Sequence, residues 1–174
     1  MLYARQFSTA LGEMFSTENA EGALLRLGFC KPGWKEQLER EVAARHETLV
    51  WEAGDSPVAR QIQEYFCGVR REFDLPLAQQ GSEFQHKVWD ELQRIPYGQT
   101  ITYHKLAQRI ANPAACRAVG RANATNGIAI IIPCHRVIGS NGTLTGYVGG
   151  SGIKEKMLRL EGALQPGLFS ERDG

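Results

Sequence analysis

Five consecutive residues, Ile128 to Ile132, carry no polar side chain, and four of them are isoleucine. A run this short, apolar and β-branched predicts a buried extended segment. Pro133 must end it, because proline offers no N–H to a ladder and restricts its own φ. A thiol, an imidazole and a guanidinium then follow without a break, as Cys134, His135 and Arg136. Reactive groups at the rim of a rigid apolar segment are well placed and hard to displace. Cys134 has two readings here: a buried small hydrophobe, as most free cysteines are, or a nucleophile with a base beside it.

A chain of 174 residues with 43% hydrophobic content can build one sizeable core or two small ones. Nothing in it approaches the roughly 18 consecutive apolar residues of a membrane span. The opening MLYARQFSTALGEMF lacks the basic leader and apolar core of a secreted product. Cys30, Cys67, Cys116 and Cys134 are scattered and form no CxxC pair. That spacing speaks against a zinc ribbon or disulfide framework and for a cytoplasmic protein with reduced thiols. Residues 1–78 hold nine basic against twelve acidic side chains, a net −3. Residues 79–174 hold eleven against seven, a net +4, which permits a polyanionic partner for the second half.

Residues 2–29 read as two or three short strands: LYARQF, a turn-prone STALGEM leading to a second apolar stretch, and GALLRLGF. Trp34, Leu38, Val42 and Arg45 then recur at helical spacing between Lys31 and His46. A second helix opens near Asp55, Ser56 and Pro57, presents Val58, Ile62, Tyr65 and Phe66, and ends at Gly68. This half shows no phosphate loop, paired carboxylates or metal spacing, so scaffolding is its default role. DLPLAQQG, 74–81, reads as a connection.

Ser82 and Gln85 form a capping box ahead of a helix with Phe84, Val88, Trp89, Leu92 and Ile95 on its buried stripe. Pro96, Tyr97 and Gly98 turn the chain. Thr102 caps a short helix with Tyr103, Leu106, Ala107 and Ile110 on one face. Asn112 caps the next, PAACRAVGRANA, with Pro113 at its first position. Two short helices joined by Ala111 and Asn112 fit a helix-turn-helix. The small residues of the second let its backbone approach a surface, while Arg117 and Arg121 project together. The competing reading is two packed helices with a solvated basic side. Six glycines fall within Gly139–Gly152, too many for a helix interior. Helical spacing resumes from Ile153 to Leu160, Glu161 stands at its end, and the tail ALQPGLFSERDG is expected to fray.

In order and spacing, IPYGQTITYHKLA, NPAACRAVGRAN, PCHRV, GTLTGYVGG and KEKMLRLEG resemble the O6-alkylguanine-DNA alkyltransferases, over about residues 82–162. The resemblance implies an α/β plus α fold. A small ribonuclease-H-like α/β domain would occupy 1–78, without a nuclease carboxylate set. A mainly helical, winged-helix-like DNA-binding domain with the helix-turn-helix would occupy 79–170. It implies direct-reversal DNA repair, in which the alkyl group of O6-alkylguanine, and of O4-alkylthymine, passes irreversibly to Cys134 in a single turnover. His135 is then the base acting through a water, Glu161 the carboxylate that orients it, and Asn126 the brace of the reactive loop. Tyr103 is similar to the tyrosine that faces the guanine ring and helps turn the nucleotide out, and Arg117 to the finger that fills the vacated stack. Thr102, Ala118 and Arg121 would join them against the minor groove of duplex DNA. Tyr147, Val148, Gly149 and Pro133 would frame the alkyl pocket.

The same resemblance implies no cofactor and no metal. It also implies a monomer, with clustering on DNA, in a nucleoid-associated location. Three positions depart from the family pattern: Gly127 where proline is usual, Val148 where smaller or hydroxyl residues are common, and Cys116 on the DNA-reading helix. Two rivals remain. A cysteine hydrolase would need an oxyanion pocket and a deacylation route. A lesion sensor that flips the base without transfer would have no use for Cys134.

Overall fold

The structure is a computed structural model that describes residues 1–144, 146–147 and 150–164, with Ser151 described by its backbone alone. The chain divides into two compact units: Met1–Gly81 together with Gly127–Ile131, and Ser82–Asn126 together with the chain from Ile132 onward. A contiguous division after residue 78 therefore misses the excursion of 127–131 into the first unit. Backbone pairing explains it: Leu27 donates to Gly127 O, and Ala129 donates back to Leu27 O, both at 2.8 Å. No helix among the described residues is long and apolar enough to cross a membrane.

In the first unit, β1 (Leu2–Thr9), β2 (Gly12–Asn19) and β3 (Leu24–Phe29) form an antiparallel meander. The Ser8–Met14 stretch, expected to turn, is strand apart from Ala10 and Leu11. Thr9 makes so tight a turn possible, because its hydroxyl accepts from Leu11 N at 3.2 Å and donates to Gly12 O at 2.6 Å. A strand absent from the sequence reading, β4 (Leu49–Trp51), pairs parallel with Leu2–Ala4 and completes the order β3-β2-β1-β4. Three residues are too few to show alternation. Leu38 and Val42 of α1 (Trp34–Ala44) pack on Leu2 and Ala4. Ser56 caps α2 (Pro57–Phe66) by accepting from Ala59 N at 3.0 Å, and Val58, Ile62 and Tyr65 are buried along it.

The run Ile128–Ile132 is not an extended segment. Only Ile128 makes a bridge, to Leu27. Ile131 N then bonds to Ala129 O at 2.8 Å around Ile130 at φ 72, a γ-turn of the strained, φ-positive kind. Such a backbone costs a β-branched residue about 1–3 kcal/mol. Burial outweighs it: Ile128, Ile130 and Ile132 are all buried, and each such side chain contributes roughly 1.5–3 kcal/mol. A second, relaxed γ-turn follows at Pro133 (φ −82, ψ 63), where Cys134 N bonds to Ile132 O at 2.8 Å.

In the second unit, α3 (Glu83–Gln93) opens on the expected capping box, with Gln85 N on Ser82 Oγ at 3.2 Å and Ser82 N on Gln85 Oε1 at 2.8 Å. Two-residue strands β5 (Ile101–Thr102) and β6 (Val137–Ile138) pair in parallel. Thr102 caps α4 (Tyr103–Arg109) by accepting from Lys105 N at 3.1 Å. Ala111 turns the chain at φ 57. A 3₁₀ turn at Pro113–Ala115 leads into α5 (Cys116–Ala124). Asn112 stands where a cap was expected, but its side chain makes no cap hydrogen bond. Its backbone carbonyl alone starts the turn, accepting from Ala115 N at 3.0 Å. The indole of Trp89 ties α3 to α5 through Ala122 O at 2.9 Å. Helix α6 (Ser151–Leu160) ends at Glu161. The tail is not frayed at its start, since Ala163 N bonds Leu158 O at 2.9 Å and Leu164 is buried. Residues 165–174 lie outside the described residues.

Replacing Ser82 by alanine removes one arm of a reciprocal cap. The expected loss is about 1 kcal/mol of unfolding free energy, read from the urea midpoint at unchanged slope.

Candidate active site

Cys134, His135 and Arg136 form a single buried 3₁₀ turn on the γ-turn at Pro133, itself buried. Asn126 braces that backbone as expected, donating from Nδ2 to Ile132 O at 2.8 Å. The Cys134 thiol is buried, and burial pushes its pKa up. A hydrogen bond from Asn126, the charge of Lys154 and the N–H groups of Cys134 and His135 oppose that rise. The resting group is a thiol, so a base must take its proton before it can act as a nucleophile.

His135 has no exposed surface. Its Nε2 lies 2.7 Å from Glu161 Oε1, while Nδ1 is buried without a partner among the described residues. Glu161 also accepts from Arg136, at 2.9 Å from Nε and 3.1 Å from Nη2. Arg136 is held in turn by Ile95 O at 2.6 Å and lies 5.8 Å over the Tyr97 ring. Gly98 N approaches Glu161 Oε2 at 3.4 Å, and the Tyr97 hydroxyl donates to Leu160 O at 3.3 Å. The IPYG turn is thus a seat for the carboxylate.

Burial pushes the His135 pKa down; Glu161 opposes this, and Arg136 and Lys154 reinforce it. Burial alone would raise Glu161, but the hydrogen bond and charge of His135, then of Arg136, hold it at about 2. The two results lean on different charge states of His135. Arg136 reconciles them, because a guanidinium stays charged at every relevant pH. Glu161 favours the imidazolium that forms once His135 takes a proton. At rest, burial and then the charges of Arg136 and Lys154 hold the imidazole below its usual range.

Tyr103 opens α4, and its hydroxyl sits beneath Gly146, where an added Cβ would lie 3.1 Å away. Burial raises its pKa and the nearby Cys134 adds to that, while a hydrogen bond from Asn123 works against it. The Tyr147 hydroxyl is buried without a hydrogen-bond partner among the described residues, and its pKa is pushed well up by burial and then by Cys134. Val148 and Gly149 lie outside the described residues. Arg117 and Arg121 are exposed on α5, Ala118 between them is half-buried, and Thr102 is occupied as the cap of α4. Cys116 Sγ lies 3.9 Å from His104 Nδ1. A Cβ at Gly127 would lie 3.3 Å from Gln79 Nε2, the end of a flexible side chain.

Arg136 and Gly98 were named from sequence without a role in the site, and Asn123 and Lys154 were not singled out. Arg136 stood inside the PCHRV core and Gly98 inside IPYG, but only the fold brings both to Glu161. Lys154 is fully buried and donates to Val137 O at 2.5 Å.

A family model described as the DNA binding domain of 6-O-methylguanine DNA methyltransferase matches residues 83–163. A methylated-DNA–protein-cysteine methyltransferase of Methanosarcina acetivorans is 45% identical over 162 residues, covering 93% of this chain and 99% of the relative. The chain belongs to this family. A constitutive methylated-DNA–protein-cysteine methyltransferase of Bacillus subtilis is 41% identical over 162 residues, 92% of this chain and 96% of its own. Among solved structures, the O6-methylguanine methyltransferase of Mycobacterium tuberculosis aligns with TM-score 0.77 and 37% identity, over 96% of each chain. The Mycobacterium tuberculosis OGT in complex with DNA aligns with TM-score 0.80 and 38% identity, over 92% of this chain and 93% of that one.

Two expectations test the relay in this methyltransferase family member. Folded His135 titrates below the ~6.5 of a free imidazole. Its share of stability is therefore complete above that pH and is lost as pH falls, because the unfolded chain takes the proton first. Glu161, at about 2, acts in the same direction lower down, from ~4.3 toward 2. Urea unfolding at pH 7 and pH 5.5 should show a drop in the wild type that is smaller in His135→Gln. Separately, Arg136→Met leaves Glu161 to His135 alone, and nitrogen NMR of the ring should then show His135 titrating higher; an unmoved titration contradicts the account of Arg136.

Proposed function

We propose that this chain repairs alkylated DNA by direct reversal, moving the alkyl group of O6-alkylguanine onto Cys134 once and irreversibly. The observation that carries the reading is the buried His135–Glu161 pair at 2.7 Å beside a protonated, buried thiol in PCHRV. An alkyl carbon on a purine oxygen is a soft electrophile, and sulfur is the protein nucleophile suited to it. His135 Nδ1, the ring nitrogen with no partner among the described residues, takes the thiol proton through a water. The S–C bond forms as the C–O6 bond breaks, and the electron pair returns to the guanine ring. Tyr103 supplies a proton at the ring edge, so the base leaves neutral. Nothing in the chemistry splits the resulting thioether, and the protein is consumed.

The lesion lies inside the duplex, so the nucleotide must be extruded, at about a few kcal/mol. In this reading α5 enters the minor groove, its small residues allowing close approach. Arg117 stacks in the gap, and Arg121, Ala118 and Thr102 border the phosphates. Support comes from the exposure of both arginines and the net +4 of residues 79–174. The sequence α4, turn, α5 and the small β5–β6 pair support a winged helix-turn-helix. The meander with a parallel fourth strand supports a ribonuclease-H-like first domain. Activity on O4-alkylthymine, a monomer that clusters on DNA, and a cytoplasmic, nucleoid-associated location belong to the same proposal.

Intact-mass and peptide analysis after exposure to an O6-methylguanine duplex should find one CH2 gained per chain, on Cys134. Label on Cys30, Cys67 or Cys116, or repeated turnover, would defeat the reading. Arg117→Ala should slow transfer from the duplex far more than from the free methylated base, which needs no flipping. A missing phosphate contact would instead weaken all duplex binding and reduce the salt slope by about one unit. Equal losses on duplex and free base remove the finger role.

A further inference from the structure

Two tryptophans of the first unit form the walls of a corner on its surface. Trp34 opens α1 and Trp51 ends β4, where it pairs with Ala4, so both rings are carried by regular elements. Their centroids lie 5.6 Å apart with the planes at 78°. Phe15 stacks on Trp34 at 4.6 Å and backs that wall, and the Trp51 indole N–H donates to Glu39 Oε1 at 3.3 Å. The corner opens to solvent, since Trp51 keeps 39% of its surface exposed. Lys35 occupies it, with Nζ 5.5 Å from the Trp34 centroid and 5.2 Å from that of Trp51. Glu39 stands one helical turn on, at the spacing of an i,i+4 ion pair. Yet among the described residues Lys35 makes no salt bridge. Its place in the first turn of α1 is also unfavourable, because that end of a helix repels a cation. The rings hold the ammonium.

We propose that Trp34 and Trp51 are a two-walled cage for a small ligand carrying a quaternary ammonium group, with Lys35 as its displaceable resident. The spacing selects a methylated nitrogen. A methyl carbon touches a ring face at about 3.5–4.0 Å, and the C–N bond adds ~1.5 Å. A nitrogen that carries methyl groups therefore rests about 5.0–5.5 Å from each ring, where Nζ now stands. A bare ammonium at that distance leaves a gap, whereas a trimethylammonium fills it with carbon against both rings and keeps its charge. The surroundings suit a cation: residues 1–78 hold nine basic against twelve acidic side chains, and Glu36 and Glu39 lie on α1 itself. Lys35 is exposed, so its ammonium returns to water when it is displaced. None of these residues takes part in the proposed alkyl transfer.

Choline is the probe, read by nitrogen-edited NMR of the full chain. The protein has three tryptophans, and the third, Trp89, lies in the second unit on Ala122 O, where its indole signal serves as an internal control. Choline should move the indole signals of Trp34 and Trp51 and leave that of Trp89 in place. The neutral isostere dimethylbutanol, with carbon in place of nitrogen, should bind roughly fivefold or more weakly, having lost the cation's attraction to two rings. Lys35→Ala empties the corner and should tighten choline by about two- to fivefold, the worth of an exposed cation–π contact. Trp51→Leu should lose choline binding, read at Trp34, with the rate of transfer to Cys134 unchanged. Signals that do not move in the wild type overturn the proposal, and that measurement needs no variant. Equal binding of the neutral isostere, which would mark an apolar patch only, overturns it too. So does choline binding that is no tighter in Lys35→Ala or no weaker in Trp51→Leu.

Discussion

One buried carboxylate governs the geometry of the reactive turn. Glu161 takes His135 and Arg136 at 2.7–3.1 Å and lies at the point where α6 ends. A charge out of water is tolerated only when paired and fully hydrogen-bonded. That requirement makes the helix end, the IPYG turn and the PCHRV core meet at one place. Arg136 reaches Ile95 O while holding the carboxylate, so it also fixes the start of the turn that carries Gly98. Gly98 has φ 79, and a Cβ there would lie 2.8 Å from Glu161 O, which leaves glycine as the residue that fits. Breaking the pair would strand a charge as well as loosen a base.

The sulfur is positioned by backbone shape. Two γ-turns in six residues, at Ile130 and Pro133, turn an apolar run into a tight hook, and Asn126 holds Ile132 O from behind. Apolar burial drives the hook and offsets the strain at Ile130. Burial also pushes the Cys134 thiol up, so in the proposed reaction a base has to take its proton. His135, the proposed base, suits that task, since a neutral imidazole can accept a proton and an imidazolium cannot.

Much of this was legible in advance. The caps at Ser56, Ser82 and Thr102 depend on side chains within three residues of the helix they start, and they were readable for that reason. Asn112 was misread because its backbone, not its amide, opens the 3₁₀ turn. The strands β4, β5 and β6 were missed because two or three residues carry no period. The isoleucine run misled more deeply: composition announces burial, but γ-turns and strands bury the same side chains. Cys134, His135, Glu161, Asn126 and Tyr103 came from the family resemblance; Cys134 and His135 form the reactive turn, and Asn126 and Glu161 hydrogen-bond to it.

Sequence alone determined which groups are available: a thiol, an imidazole and a carboxylate in family order, the arginines of α5, and the helices that carry them. Those are properties of residue type and short-range spacing, where capping and hydrophobic period act. Tertiary structure decided their charge states and their partners. Arg136 stands one residue from His135 and lowers its pKa by direct charge repulsion, while its own hydrogen bonds go to Glu161, twenty-five positions away in the chain. Asn123 reads as one more small polar residue on a helix until burial leaves its carbonyl oxygen without a partner among the described residues. Desolvation and long-range pairing set a pKa or orphan an acceptor, and neither exists until the chain has closed around the group.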